Sequence, residues 1–396
     1  MKQLFTTLTM MLVLPLAALA QAGVHGNEIF EKSKEGAWLY YKILDEEEKT
    51  CQLQYLTYFA PHDDLHFDPY EGHVTIPGSV YGYTVTELGN GEEMLFSSLI
   101  CKVTSVTIPN TVKKINASAF CYPSVLTSVE IPEGVTEIGE NAFGDVYTLT
   151  SVSIPSSVKS IGKAAFIRCR KLKDVTLSEG LELIGRSCFS ACLELEEIHI
   201  PSTVSVIGDF GFEACHALRS INLPEGITVI GNYLFEGCWN LESVIIPENV
   251  WFIGEMAFCA CFSLKSLTIP AGVSVIGPMA FWATGENNSQ FDLYSLIEDP
   301  PLFSYEISDK SIQPDKFRSV LHVPMGTLEE YKYKPGWKGF DDYEEFNTTG
   351  IGQVRTEPDS EAESHYSLEG RKLKAPAKGL NIVKMADGTV KKVIVR

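Results

Sequence analysis

The stretch Ile131-Pro-Glu-Gly-Val-Thr-Glu-Ile-Gly-Glu-Asn-Ala-Phe-Gly-Asp-Val-Tyr-Thr-Leu-Thr-Ser-Val-Ser153 decides the fold, because the chain repeats its pattern. Each copy opens on Ile or Leu and has the form Ile-Pro-x-x-Val-x-x-Ile-Gly-x-x-Ala-Phe-x-x-Cys-x-x-Leu-x-Ser-Val-x. The opening residues follow one another at intervals of 23 and are Ile108, Ile131, Ile154, Leu177, Ile200, Leu223, Ile246 and Ile269. A fixed period of roughly 20–50 residues is typical of a solenoid, in which every repeat forms one coil.

Each repeat contains the signals of a strand that ends abruptly. Val129 and Ile131 alternate with Glu130, so the two apolar side chains share one face of a strand. Pro132 ends that strand because it has no N–H for the next ladder bond. One coil alone buries too little apolar surface to fold, whereas stacked coils share their buried faces. At roughly 4.8 Å per stacked strand, the eight coils should form a rod about 38 Å long.

Two columns of repeated residues should mark the corners of the coils. The first column is glycine in all coils but one, and we expect a positive φ there, which glycine and asparagine tolerate best. Its members are Asn116, Gly139, Gly162, Gly185, Gly208, Gly231, Gly254 and Gly277. The second column should stack into a buried aromatic row. Its members are Phe120, Phe143, Phe166, Phe189, Phe212, Phe235, Phe258 and Phe281.

The motifs Leu126-Thr-Ser-Val-Glu-Ile-Pro132, Val135-Thr-Glu-Ile-Gly139 and Ala142-Phe143, with their reiterations, resemble a known family. They are similar to the BspA-like leucine-rich repeats of bacterial surface proteins, especially those of Bacteroidetes. The resemblance implies a mainly β fold with short helical turns: a right-handed leucine-rich-repeat solenoid of 23-residue coils with N- and C-terminal caps. For function, it implies adhesion or partner binding as a class.

Residues 1–20 have the composition of a secretory signal peptide. Lys2 supplies the charged start, Leu4 to Leu19 the apolar core, and Ala18-Leu-Ala20 a small-residue cleavage site. A membrane anchor is the alternative, but the apolar run is short and Pro15 interrupts it. We therefore expect an exported protein that is secreted or displayed at the cell surface.

The rest of the chain divides by composition into further segments. We assign an N-terminal β cap to 21–75, the solenoid to 76–277, a C-terminal cap to 278–346, a linker to 347–365 and a basic β tail to 366–396. Caps are expected because the ends of a solenoid expose apolar surface and strand edges. The tail resembles the end of the C-terminal sorting domains of type IX secretion. A small β tail that packs on the cap or stays flexible is the alternative.

The charge balance argues against two classes of partner. The formal net charge is −19, which disfavours nucleic acid and anionic membranes. After the signal peptide, no segment is apolar enough to span a bilayer. We expect a monomeric chain whose partner is a protein or a glycan and which needs no cofactor.

The cysteines and histidines form two patterns, each of which has two possible interpretations. One is a column three residues after the repeat Phe, which secretion would permit to form disulfides but which we interpret as buried free thiols. Its members are Cys169, Cys192, Cys215, Cys238 and Cys261. The other pattern is His62-Asp-Asp-Leu-His66-Phe-Asp68 with His73 beyond. It could ligate a divalent cation, but Pro61 and Pro69 bracket it and a solvated loop is the favoured interpretation.

Catalysis is the main rival to binding, because polysaccharide lyases also use coils of about this length. Solenoid enzymes build clefts from loops that extend from particular coils, whereas here the intervals are uniform. Glu196 and Glu197 beside His199 do not form a carboxylate pair that faces one bond, because they are adjacent on a strand. No phosphate loop, nucleophile elbow or zincin motif is present. We predict no enzymatic activity and no metal site.

The candidate binding surface is the outward side of the repeat strands, which we expect to be concave. Most outward residues are small and polar, but the central coils offer larger groups close together. These candidates are Glu196, His199, Arg219, Asn222, Glu242, Ile245 and Lys265. A second stripe could be an exposed docking face, although we favour core packing for it. It consists of Leu183, Val206, Val229, Phe252 and Val275, with Trp251 beside it. A purely structural spacer remains an alternative to binding.

Overall fold

The computed structural model describes most of the chain after the predicted signal peptide. The described ranges are 23–34, 38–57, 70–91, 95, 101–121, 125–285, 290–303 and 318–348, with the tail strands 362–366, 372–373, 379–385 and 390–395. Residues 1–20 and the stretch His62–Asp68 lie outside these ranges.

The repeat region is a solenoid whose coils each contribute one longer and one shorter strand. The longer strands are β5 (Tyr70–Thr75), β8 (Cys101–Thr107), β10 (Ser128–Glu130), β12 (Ser151–Ile154), β14 (Asp174–Leu177), β16 (Glu197–His199), β18 (Ser220–Asn222), β20 (Ser243–Ile245) and β22 (Ser266–Ile269). The shorter strands are β9 (Lys114–Ile115), β11 (Glu137–Ile138), β13 (Ser160–Ile161), β15 (Leu183–Ile184), β17 (Val206–Ile207), β19 (Val229–Ile230), β21 (Phe252–Ile253) and β23 (Val275–Ile276). We call their outward sides the long-strand face and the short-strand face, and the rest of each coil the turn side.

The strands of successive coils pair in parallel with an offset of one repeat. Ser151 pairs with Asp174 in the long-strand row, and Glu137 pairs with Ser160 in the short-strand row. The predicted leucine-rich-repeat solenoid is therefore confirmed, with about ten turns and a spacing of about 23 residues.

The phenylalanine column fills the interior as predicted. Its eight rings are at most 1% exposed. Neighbouring ring centroids lie 4.9 to 6.0 Å apart, and the rings are close to parallel. Burial of this row, together with the inward Ile and Leu columns, gives the solenoid one continuous core.

The glycine column has a different physical cause from the one predicted. None of its seven glycines has a φ in the left-handed region, so the expectation of a positive φ there is wrong. A Cβ on Gly162 would lie 2.6 Å from the carbonyl carbon of Gly139, and one on Gly185 would lie 2.6 Å from that of Gly162. The main chains of successive coils approach so closely at this corner that no side chain fits between them.

Positive φ occurs instead on the turn side, two and six residues after each member of the glycine column. The residues at the first position have φ between 50° and 60° and are Ser118, Asn141, Ala164, Ser187, Phe210, Tyr233, Met256 and Met279. The second position is occupied by Asp145, Arg168, Ala191, Ala214, Gly237, Ala260 and Ala283. This conformation costs non-glycine residues about 1–2 kcal/mol each.

Main-chain hydrogen bonds explain why the coils retain this conformation. The N–H of Asn141 donates to the carbonyl of Lys163 at 2.8 Å, and the N–H of Ala164 donates to that of Arg186 at 2.7 Å. The second position repeats the bond, because the N–H of Arg168 donates to the carbonyl of Ser190 at 2.7 Å. The left-handed residues thus direct their N–H groups at the next coil and give the turn side its own ladder.

The cysteine column is buried, as predicted. Each thiol donates to the carbonyl of the repeat Phe 26 residues earlier, at 3.1 to 3.3 Å. Thr284 occupies the next position in the column, and its hydroxyl donates to the carbonyl of Phe258 at 2.9 Å. A small side chain that can donate one hydrogen bond therefore suits this corner.

An antiparallel sheet precedes the coils and continues their short-strand row. It contains β1 (Gly23–His25), β2 (Glu28–Lys32), β3 (Trp38–Asp45) and β4 (Thr50–Thr57). A hairpin around Tyr81 is formed by β6 (Ser79–Val80) and β7 (Tyr83–Leu88). Because β7 pairs in parallel with both β4 and β9, the sheet covers the first coil edge.

In the described residues that follow the last regular coil, the chain forms three further strands and one short helix. They are β24 (Gln290–Ser295), β25 (Arg318–Pro324), α1 (Leu328–Tyr333) and β26 (Asp342–Phe346). The strands extend the row of β22 in parallel. Tyr331 is the buried residue of α1, and its hydroxyl donates to the carbonyl of Ile297 at 2.6 Å.

The tail contains four strands that form a separate antiparallel sheet. They are β27 (Ala362–Tyr366), β28 (Lys372–Leu373), β29 (Gly379–Met385) and β30 (Val390–Val395). The first of them begins within the segment that we expected to be a linker.

Replacement of Gly185 by Ala tests the close approach of the coils. The added Cβ would meet the Gly162 main chain, which cannot move without disrupting the ladder. We expect the free energy of unfolding to fall by about 1–3 kcal/mol or more, measured by denaturant titration. Gly272→Ala is the control, because its nearest contact is 3.6 Å away, and its effect should stay within about 0.5 kcal/mol. Equal effects would contradict the explanation.

Thiol titration tests the cysteine column. Burial raises the pKa of Cys215 to about 12 and raises the pKa of the other four thiols as well. Since only the thiolate reacts, these five cysteines should react with a thiol reagent only after denaturation. A Cys192–Cys215 cross-link detected by mass spectrometry in native protein would overturn this account.

Candidate binding surface on the long-strand face

The long-strand face presents one column of outward side chains within the strands and a second column directly before the strands. The central column is exposed throughout and consists of Thr107, Glu130, Ser153, Thr176, His199, Asn222, Ile245 and Thr268. The second column directly precedes the strands from β10 onward and consists of Thr104, Thr127, Thr150, Lys173, Glu196, Arg219, Glu242 and Lys265. Both are regular arrays whose side chains repeat every coil, about 4.8 Å apart.

The structure places all seven sequence-predicted candidates on this face. His199, Asn222 and Ile245 are aligned by the pairing of β16 with β18 and of β18 with β20. In the second column, the N–H of Arg219 donates to the carbonyl of Glu196, and the N–H of Glu242 donates to that of Arg219, both at 2.9 Å. Lys265 occupies the same column one coil beyond Glu242 and is exposed. The candidates thus form one patch across four coils.

Arg219 and Glu242 form an ion pair on the surface of this patch. The Nη1 of Arg219 lies 3.5 Å from the Oε1 of Glu242, and the side chains are 63% and 50% exposed. A pair this accessible contributes about 0–1 kcal/mol to stability. The guanidinium therefore keeps its other donors available to a ligand at little cost to the fold.

Asn222 is held by the neighbouring coil. Its Nδ2 donates to the carbonyl of Ile200 at 3.1 Å, and its Oδ1 accepts from the N–H of Ile200 at 3.3 Å. The amide thus brackets the backbone at the point where β16 ends. Because both polar atoms already have partners, Asn222 contributes to the shape of the patch more than to hydrogen bonding with a ligand.

Ile245 is the apolar centre of the patch. Its side chain is 58% exposed, whereas the other members of the central column are polar. It lies in register with Asn222, one coil beyond it. A large apolar group on a polar sheet offers burial to a partner without any need for the coil to rearrange.

Aromatic residues border the same patch in a column that the sequence analysis missed. The column consists of Tyr147, Arg170, Leu193, His216, Trp239 and Phe262. His216 stacks on Trp239 with ring centroids 3.6 Å apart, and Trp239 is 45% exposed. Burial lowers the pKa of His216, which favours the neutral ring. The signal was available in the sequence, since every member lies three residues before a member of the second column.

Among the described residues, the half-buried carboxylates Glu213 and Glu236 on the turn side most resemble an acid–base pair. Ser190 donates to Glu213 at 2.7 Å. The pKa of Glu236 is raised, first by burial and then by the charge of Glu213. By contrast, Glu196 and Glu197 are both exposed on the long-strand face.

The described residues contain neither a metal-binding cluster nor a membrane-spanning helix. Within those ranges, no group of three or more His, Cys, Asp or Glu is arranged to hold a metal ion. His73 belongs to the described residues, whereas His62 and His66 lie outside them. The ring nitrogens of His73 are 2.8 Å from the Ser105 hydroxyl and 3.0 Å from the Thr107 hydroxyl. No helix in the described part of the chain is long and apolar enough to cross a bilayer.

Solved structures of leucine-rich-repeat proteins resemble this chain at low identity. One from Bacteroides ovatus is 22% identical, with a TM-score of 0.42, and the match covers 78% of this chain and 98% of that one. The leucine-rich-repeat protein of T. pallidum is 23% identical, with a TM-score of 0.42, over 62% and 91% of the two chains. The pneumococcal vaccine antigen PcpA is 18% identical, with a TM-score of 0.39, over 80% and 98%. No curated protein matches the chain.

The coil geometry and strand rows define a leucine-rich-repeat protein. The model of the BspA-type leucine-rich repeat region matches residues 92–208 and 182–298, in six copies. These matches together span more than half of the chain. The chain therefore belongs to the BspA-type leucine-rich-repeat family, as the repeat motifs indicated.

Proposed function

We propose that this protein is a secreted or surface-displayed binding protein that recognises a protein or glycan partner through the long-strand face. The observation that carries the proposal is the patch around Ile245, in which an exposed apolar side chain lies among aligned polar groups. Family membership supports a non-catalytic repeat protein of this kind.

Rigidity is the physical reason why such a face suits recognition. Each outward side chain is fixed to a paired strand, so a partner meets groups that are already ordered. Binding then avoids much of the ordering cost that reduces the affinity of flexible surfaces. The repeat of about 4.8 Å suits an extended partner that crosses several coils.

The charges of the patch narrow the partner class. Arg219 and Lys265 alternate with Glu196 and Glu242 in one column, so the patch has both signs. The surrounding chain is acidic, with a formal net charge of −19. A neutral glycan or a protein segment of mixed charge fits this balance, whereas a polyanion would be repelled.

The predicted signal peptide at residues 1–20 supports the proposed location. The likeness of the tail to the end of a type IX sorting domain belongs to the same proposal, in which the tail directs the chain to the outer surface. The other candidate functions are a surface spacer and a solenoid carbohydrate-active enzyme. A glycan array and a pull-down on host matrix proteins separate binding from spacing, because a spacer captures nothing in either.

A double substitution tests the patch with the ligand that these screens identify. Arg219→Glu combined with Ile245→Asp removes a forked donor and an apolar contact. We expect binding to weaken at least about tenfold, or roughly 1.4 kcal/mol, measured by calorimetry. The melting temperature should hardly change, because both side chains are exposed.

The matched control is Thr150→Glu combined with Thr176→Asp. These residues occupy the same two columns three coils nearer the N-terminus, and both are exposed. The control should retain the affinity of the original protein. Unchanged affinity in the Arg219 and Ile245 variant would place the site elsewhere.

A further inference from the structure

The short-strand face exposes a continuous apolar stripe across five coils. The stripe consists of Leu183, Val206, Val229, Phe252 and Val275, with Trp251 beside it. Leu183, Val206 and Trp251 are 37%, 48% and 48% exposed, and Val229, Phe252 and Val275 are half-buried. The core packing that we favoured for this stripe is therefore wrong. The residues that follow in each strand, such as Ile184 and Ile207, fill the core instead.

The stripe residues are apolar, whereas the residues at the same position of the preceding coils are polar or charged. In the three preceding coils, the same position holds Lys114, Glu137 and Ser160, and Lys114 pairs with Glu137 at 3.1 Å. Polar residues are what a solvated sheet face normally presents. The apolar residues from Leu183 to Val275 span about 19 Å, at about 4.8 Å per coil. A continuous exposed apolar strip of this kind marks a contact surface.

The charges around the stripe are negative from Val206 onward, whereas Arg186 follows Leu183 in the first coil of the stripe. Residues 201–277 contain seven acidic side chains, Asp209, Glu213, Glu225, Glu236, Glu242, Glu248 and Glu255. The basic side chains in that range are Arg219 and Lys265, and both belong to the long-strand face. On the short-strand side, Glu225 and Glu248 precede the stripe in their coils, and Asp209 and Glu255 follow it. The stripe is therefore bordered by carboxylates without an intervening cation in these coils.

We propose that the stripe is a second docking surface, which binds a cationic amphipathic helix of a partner protein. A helix advances about 5.4 Å per turn, close to the coil spacing of about 4.8 Å. Its apolar residues at i, i+3, i+4 and i+7 can therefore follow the stripe for about three to four turns. Lys or Arg on the two sides of that apolar face would then lie over the bordering carboxylates. This surface is separate from the long-strand patch.

A pair of synthetic peptides tests the helix requirement. The probe is a 14-residue peptide of Leu and Lys with its Leu residues at helical spacing, and the comparison peptide has the same composition in strict alternation. We expect the helical peptide to bind the full chain at least about tenfold more tightly, measured by fluorescence anisotropy. Equal binding of the two peptides, or no binding of either, would overturn the proposal.

A second comparison assigns the binding to the stripe and not to the overall negative charge. Val206→Lys combined with Phe252→Lys should weaken binding of the helical peptide at least about tenfold. The control, Thr136→Lys combined with Ser160→Lys, adds the same charge to the same face outside the stripe and should change affinity less than about threefold. Equal loss in the two variants would show attraction by charge alone and overturn the proposal.

The state of the protein without peptide distinguishes a partner helix from a second copy. Sedimentation should show a monomer for the original chain and for both variants, and thermal melts should confirm that the variants are folded. A dimer that the Val206 and Phe252 substitutions dissociate would assign the stripe to self-association and overturn the proposal.

Discussion

The structure depends on the close approach of the main chain of each coil to that of the coil before it. At the glycine column the approach leaves no space for a side chain, because a Cβ added to Gly185 would lie 2.6 Å from the carbonyl carbon of Gly162. On the turn side, left-handed residues such as Ala164 direct their N–H groups at the next coil. The glycine contact recurs once per repeat, and the left-handed N–H contact recurs twice. Seven successive intervals of 23 residues keep these contacts in register, whereas flanking coils pair at other spacings, as Thr75 does with Thr107.

This constraint fixes the inward side chains and leaves the outward ones free. The Phe and Cys columns change little along the chain because every ring and thiol meets the same neighbours. The outward positions vary, and their variation gives each face its own chemistry. The long-strand face is polar around one exposed Ile245, whereas the short-strand face turns apolar from Leu183 onward within an acidic border. One repeated scaffold can therefore present two surfaces that suit different partners.

The sequence predicted the repeat unit, the buried Phe column and the face that carries residues 196 to 265, because periodicity determines which side chains share a column. It failed where two conformations satisfy the same residue type. Glycine is suited both to a positive φ and to close packing of main chains. The structure shows that close packing is the reason for glycine at position 162. The prediction that Val206 packs in the core was wrong for a similar reason, because a two-residue strand has no alternation that could mark its outward residue. The His216–Trp239 stack was missed because its column mixes aromatic, basic and aliphatic residues.

Deletion of one whole coil tests the central claim most directly. Removal of residues 200–222 joins His199 to Leu223 and preserves the order of every column. If the coil is the structural unit, this variant should unfold in a single cooperative transition, with a urea m-value that is lower by about the surface of one coil. Removal of residues 200–211 alone shifts the columns out of phase and should prevent cooperative folding. Loss of folding in the first variant, or normal folding in the second, would contradict the account.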